Sequence, residues 1–284
     1  LFRSGGTLDS TNVIDAPECA VITALGMDHV KELGPTLADI AAAKAGIIKE
    51  ECPVVSYGGV PEADIVIRRV CAEKHAELTE VDFSRLKYEG GSLDAVEFDF
   101  DGLTDVHLPL IGSYQPRNAA LAITALRVMR AHGWNIPESA IRTGLETVSW
   151  PGRFELLRHE PAFLLDGSHN AHGMRATVQS LRDRFPGQKF VFLVSVMADK
   201  DVTRCSACWH RWRCGSSRWR RTRRAPCLPK PWQNTSGPMA AGRKRQLPLK
   251  RAWPGRWSWA AKARCAHWAR CISLAMCGRR LRNL

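Results

Sequence analysis

Two charged residues stand where a ligand would meet them. Arg153 lies in the tight turn Trp150-Pro151-Gly152-Arg153, and Asp166 follows the apolar run Ala162 to Leu165, ahead of Gly167-Ser168-His169-Asn170. An apolar run of that length bounded by turn residues reads as a buried strand, and in an open α/β sheet ligands bind beyond the C-terminal ends of the strands. A guanidinium and a carboxylate are thereby brought to one crevice. Upstream, His29 follows another apolar run, Lys44 stands on a helical pattern and Asn118 lies in the first turn of a longer one. Taken singly, each has an ordinary explanation as a surface histidine, a solvated lysine, a turn or a loop.

The elements that must position these residues follow from periodicity. CAVITALG, from Cys19 to Gly26, reads as a buried strand leading into Met27-Asp28-His29. Thr36 with Asp39 forms a capping pattern ahead of ADIAAAKAGIIKE, whose apolar residues recur at helical spacing and which presents Lys44. A strand over Pro53–Tyr57 and a helix from Glu62 to about Glu77 continue the alternation of a mostly parallel sheet. Residues 88–110 alternate apolar and polar positions around glycines and read as antiparallel hairpins. A long helix spans about Pro116–His132, stopped by Gly133, and a short one spans 137–146. Beyond the turn, a strand ending at Leu165, a helix over Met174–Phe185 and a strand over Lys189–Met197 make one βαβ unit.

Charge divides the chain sharply. The net charge is +13, yet residues 1–202 hold 20 Lys+Arg against 28 Asp+Glu, and residues 203–284 hold 21 Lys+Arg with no acid. Seven of the ten cysteines and eight of the ten tryptophans also fall in that last part. The remaining thiols, Cys19, Cys52 and Cys71, are widely spaced and fit a reducing compartment, so a cytoplasmic location is the expectation. No stretch approaches the roughly 18 apolar residues of a membrane span, and no secretory leader is recognisable.

Six segments in order, GGTLDSTN, TALGMDH, LGPTLADIAAAKAGIIK, GSYQPRNA, WPGR and DGSHN, closely resemble the folylpolyglutamate synthase and dihydrofolate synthase branch of the Mur ligase family. The resemblance runs from residue 5 to 202. It implies an α/β fold: 1–152 as the central ATPase domain of a Mur-ligase-type P-loop enzyme, and 153–202 as the start of a Rossmann-like C-terminal domain. It implies ATP and Mg2+ as cofactors, a folate or dihydropteroate and L-glutamate as substrates, and a monomer. By the same resemblance His29 is a magnesium ligand, and Lys44 is the lysine carbamylated to supply the second metal site with oxygen. Asn118, Arg153 and Asp166 are ATP contacts, to the base, phosphates and ribose respectively. His169 lies in the nucleotide cleft, and Leu8, Asp9 and Ser10 align with a folate-side loop.

That activity joins an amino acid to a carboxylate. The carboxylate is first phosphorylated, because it is a poor electrophile, and the glutamate amine then displaces phosphate. Magnesium prefers oxygen ligands, so a carbamate on Lys44 serves where an ammonium would repel the ion. A guanidinium holds phosphate oxygens in a fixed fork, and a site between two domains can close to exclude water.

Departures from the family accompany the likeness. The phosphate loop G-x-x-x-x-G-K-[ST] is not within the chain, and Leu1 stands where a metal-binding glutamate belongs. Ala43 replaces a usual glutamate, and Tyr114 stands where histidine is common. The chain as given is therefore expected to be incomplete and inactive. Residues 203–284 read as out-of-frame translation that is not natively folded. Shifting the frame by one base makes Cys208-Trp209-His210 encode Leu-Ala, and lets Arg264 onward encode VRALGSLYLAGDVR, the style of ending this family has. A one-base loss near codon 202 is the expected origin. Two alternatives remain. The basic, Trp-bearing tail, in which Cys205-x-x-Cys208 and His210 resemble half a zinc site, could bind nucleic acid. Or the chain could be a cell-wall Mur ligase, against which the GGTLDSTN and KAGIIK wording stands.

Overall fold

The structure is a computed structural model that describes residues 12–27, 33–197, 219–222 and 274–279. Among these residues the strands form three sheets. The first is parallel, in the order β1 (Ala20–Ile22), β2 (Val54–Ser56), β3 (Leu78–Glu80). Helices α1 (Leu37–Ala45) and α2 (Pro61–Glu73) connect these strands. Their apolar faces bury Ile22, Ala41, Ala45, Val54, Ile67 and Cys71 in one core. α1 begins at the expected cap. The Thr36 hydroxyl accepts from the Asp39 amide at 3.1 Å, and the Thr36 amide donates to Asp39 Oδ2 at 3.0 Å, which satisfies donors that a helix start otherwise leaves open.

Residues 86–108 form the antiparallel block that the alternation predicts, as β4 (Leu86–Gly91), β5 (Val96–Phe100) and β6 (Leu103–Leu108). Its inward residues Val96, Phe98, Val106 and Leu108 are buried, and Phe98, Val106 and Leu108 share a second core with α3 (Gln115–Ala131) and α4 (Glu138–Thr147). Gly133, at φ 97°, follows α3, a conformation that suits a residue without Cβ.

The C-terminal unit contains β7 (Glu155–Arg158), β8 (Phe163–Asp166), α5 (Ala171–Arg184) and β9 (Lys189–Met197). Two tail segments, β10 (Trp219–Thr222) and β11 (Leu274–Arg279), complete a sheet ordered β10-β9-β11-β8-β7. β8 and β9 run parallel, as a βαβ unit requires, but β11 lies antiparallel between them. Two segments of 203–284 therefore pair within the sheet that holds the expected βαβ unit. The rest of that tail, with its Cys205-x-x-Cys208 pair and His210, lies outside the described residues.

The two halves are joined through a third core, in which Ile111 and Leu93 from the first half pack with Phe154, Leu164, Met174, Leu181 and Phe190 of the second. Among the described residues no helix is long and apolar enough to cross a membrane.

Candidate active site at the domain seam

The turn bearing Arg153 is shaped by backbone geometry. Gly152 has φ 74° and Phe154 φ 51°, both in the left-handed region. Phe154 tolerates this because its ring is completely buried in the third core and its amide is claimed, donating to Asp166 Oδ1 at 3.2 Å. Arg153, between the two, is left partly exposed. The Gly152 amide donates to Glu155 Oε2 at 2.8 Å, and the Gly167 amide donates to the Gly152 carbonyl at 2.8 Å. A Cβ at Gly167 would lie 3.3 Å from that carbonyl and 3.8 Å from Arg153 Nη1, so a larger residue there would press on the turn. Arginine turn and aspartate loop thus meet, as their sequence context predicts.

Asp166 itself is 1% exposed. Besides the Phe154 amide on Oδ1, its Oδ2 accepts from the Thr177 hydroxyl of α5, which also lies 2.8 Å from Ser168 Oγ and 3.1 Å from the Gly173 carbonyl. A buried carboxylate requires such partners. The observed work of Asp166 is therefore to tie the turn to the helix. His169, partly exposed, has Nδ1 3.0 Å from the Gly167 carbonyl, and Asn170 caps α5 by accepting from the Gly173 amide at 2.7 Å.

Across the seam, Tyr114 precedes α3. Burial pushes its phenol well above the ordinary range, the Asp166 carboxylate adds to that, and Arg153 opposes it. Tyr114, Arg153 and Asp166 consequently share one electrostatic neighbourhood, with the phenol neutral. Asn118 is exposed in the first turn of α3, where its Nδ2 donates to Gln115 Oε1 at 3.0 Å. On the outer side of the turn, Trp150, Arg153, Glu155, Leu110 and Asp94 help line a shallow cleft of about 130 Å³.

Lys44 is half-buried in the last turn of α1, on the first sheet. His29 and Leu8, Asp9 and Ser10 lie outside the described residues. Among the described residues no group of three or more His, Cys, Asp or Glu side chains is placed to hold a metal ion.

Sequence reasoning missed two contributors. His172, in the first turn of α5, packs against Gly26 in the loop after β1. A Cβ on Gly26 would come within 2.7 Å of the ring's Cγ, so the start of α5 sits directly against the loop after β1. Thr177, the second, is a fully buried hydroxyl. Nothing local distinguishes either from an ordinary helical residue.

The same seam occurs in a chain with clear relatives. The Mur ligase, glutamate ligase domain family matches residues 152–210. The dihydrofolate synthase/folylpolyglutamate synthase of Bacillus subtilis (strain 168) is 37% identical over 203 residues, covering 69% of this chain and 47% of that protein. A solved FPGS-AMPPCP-folate complex superposes with a TM-score of 0.64 at 31% identity, covering 74% of this chain and 52% of the other. A Mycobacterium tuberculosis folylpolyglutamate synthase complexed with ADP and AMPPCP gives 0.62 at 33% identity, covering 74% and 49%. The family model and these relatives make the chain a member of the Mur ligase family, whose enzymes are ligases. Within that family it belongs to the folylpolyglutamate synthase/dihydrofolate synthase branch. The chain spans about half the length of the curated relatives it matches.

Proposed function

We propose that the whole protein adds L-glutamate to the carboxylate of a folate or dihydropteroate at the expense of ATP. The observation that carries this reading is the junction of the Arg153 turn with the Asp166 loop through the Gly167 amide and Gly152 carbonyl, in a chain whose structural relatives include ones holding AMPPCP, ADP and folate. In this reading the γ-phosphoryl group passes to the acceptor carboxylate, giving an acyl phosphate and ADP. The glutamate amine then attacks the acyl carbon, a C–N bond forms, the C–O bond to phosphate breaks, and the amine gives up a proton.

The chain's own residues manage charge around those steps. Arg153 faces the phosphates with a planar fork of donors. Asn118 meets the base from α3, and His169 borders the cleft. Asp166 serves the ribose chiefly by fixing the turn and loop that surround it, since both of its oxygens already hold protein donors. Magnesium would neutralise phosphate charge when bound. His29 and a carbamylated Lys44 are the residues assigned to it, and Leu8, Asp9 and Ser10 are assigned to the folate side.

The test uses a chain completed to the length of its relatives, with the alternative frame restored after Val202. ADP and phosphate should form only when L-glutamate and a folate or dihydropteroate are both present. Absence of turnover with either acceptor would overturn the assignment.

A further inference from the structure

Helix α5 carries two faces. Met174, Val178 and Leu181 are buried in the core of the C-terminal sheet. Thr177, Ser180 and Arg184, spaced three and four residues apart, form an adjacent stripe on the same helix. Each member of that stripe grips a group outside the helix. Thr177 donates to Asp166 Oδ2. Ser180 Oγ accepts from the Ser113 amide at 2.9 Å, across the seam between the two halves of the chain. Arg184 donates through Nε to the Ile111 carbonyl at 3.2 Å and through Nη1 to the Ser92 carbonyl at 3.4 Å, with its guanidinium 5.6 Å from the Tyr88 ring centroid.

Ser180 is fully buried, and so is Thr177. A buried hydroxyl and the buried groups it binds are expensive to separate, so these contacts fix geometry strongly. The segment they hold leads straight into the seam. Ser113 immediately precedes Tyr114 and the first turn of α3, where the Gln115 amide donates to the Gly112 carbonyl at 2.9 Å and the Gln115 side chain meets Asn118. One helix face therefore touches the strand end at Asp166 at one point and the start of α3 at another.

We propose that the Thr177–Ser180–Arg184 stripe couples the Asp166 loop to the N-terminus of α3, with Ser180 as the positioning residue for Gln115 and Asn118. The assignment of those two residues to a nucleotide rests on the proposed ligase function, whereas the coupling itself does not. Ser180 touches no ligand in this scheme. It acts through the Ser113 amide, setting where the first turn of α3 stands relative to Arg153.

Residue-resolved amide hydrogen exchange on the full chain tests the coupling without any ligand. In the unsubstituted protein the Ser113 amide should be protected to the same degree as amides within α5. Ser180→Ala should speed its exchange about tenfold, as expected for loss of one partly buried hydrogen bond, with smaller increases at Gln115 and Asn118. Ser180→Thr, which keeps the hydroxyl, should restore protection. Val178→Ala, a cavity in the same helix on the sheet side, should loosen the C-terminal unit without singling out Ser113. Rapid exchange at Ser113 in the unsubstituted protein, an unchanged rate in Ser180→Ala, or no rescue by Ser180→Thr would each overturn the proposal. Titration of the completed chain with AMPPCP is a separate arm. No binding there, with the exchange pattern as described, would sink the nucleotide reading and leave the coupling standing.

Discussion

The amide of Gly167 donates to the carbonyl of Gly152 at 2.8 Å, so the loop after β8 is registered directly on the turn that carries Arg153. Chain segments that are separate in sequence become one surface at that bond.

Gly152 and Gly187 have nearly the same backbone conformation, φ 74° and 73°, and a Cβ on either would meet nothing within 4 Å. Alanine at either position should cost about 1–2 kcal/mol through left-handed strain alone, read as a fall in the urea midpoint. Only Gly152→Ala should also weaken AMPPCP binding by the completed chain, because only Gly152 supports the Arg153 turn. Equal loss of binding in both variants would show that the turn has no special role.

Asp166→Asn keeps an acceptor for the Phe154 amide but turns a donor toward the Thr177 hydroxyl. A stability loss of about 1–3 kcal/mol is expected from the mismatched buried pair. Thr177→Val removes the same contact from the other side. The double variant should therefore lose less than the sum of the two single ones, measured by denaturant unfolding. Simple additivity would show that the two groups do not act together.

Burial alone would raise the Glu138 carboxyl, but hydrogen bonds and attraction from Arg127 and Arg130 outweigh it and hold the carboxyl below its ordinary value. A lowered folded pKa contributes stability that is present above the unfolded value of 4.5 and is lost as pH falls through the folded one. Arg127→Gln should thus lower stability at pH 7 by up to about 1 kcal/mol, as partly exposed ion pairs do. The difference from the parent protein should shrink as pH drops below that range. A difference independent of pH would place the effect of Arg127 in packing instead.

The Cys71 thiol is pushed up to about 11, mainly by burial, with the nearby Cys52 and Glu80 adding to it. A raised folded pKa contributes stability that is present below the unfolded value of 9.0 and is lost as pH climbs through 11. In the folded chain Cys71 should resist alkylation at pH 8, read by peptide mass mapping, and Cys71→Ala should flatten the alkaline loss of stability. Rapid labelling at pH 8 without unfolding would contradict this burial.

Much of the architecture is written locally. Thr36 with Asp39, the apolar spacing of α3 with Gly133 beyond it, and the alternation through β5 and β6 are short-range patterns, and each element stands where its pattern predicts. The strand read over Cys19–Gly26 is shorter, ending at Ile22, because hydrophobic composition marks a buried segment without saying where pairing stops. The insertion of β11 between β8 and β9 left no trace in the order of elements, since strand pairing between distant residues depends on the sheet as a whole.

The site divides along the same line. Turn chemistry around Gly152, the apolar run into Asp166 and the ordered motifs from residue 5 to 202 determine the family and bring an arginine and an aspartate to one seam. Only the tertiary structure decided what each does there. It turned both oxygens of Asp166 inward to the Phe154 amide and Thr177 hydroxyl, set Tyr114 beside them, and placed Ser180 on the Ser113 amide. Those choices depend on which buried polar groups find partners across distant segments, a condition that is met in the packed molecule and has no signature in local spacing.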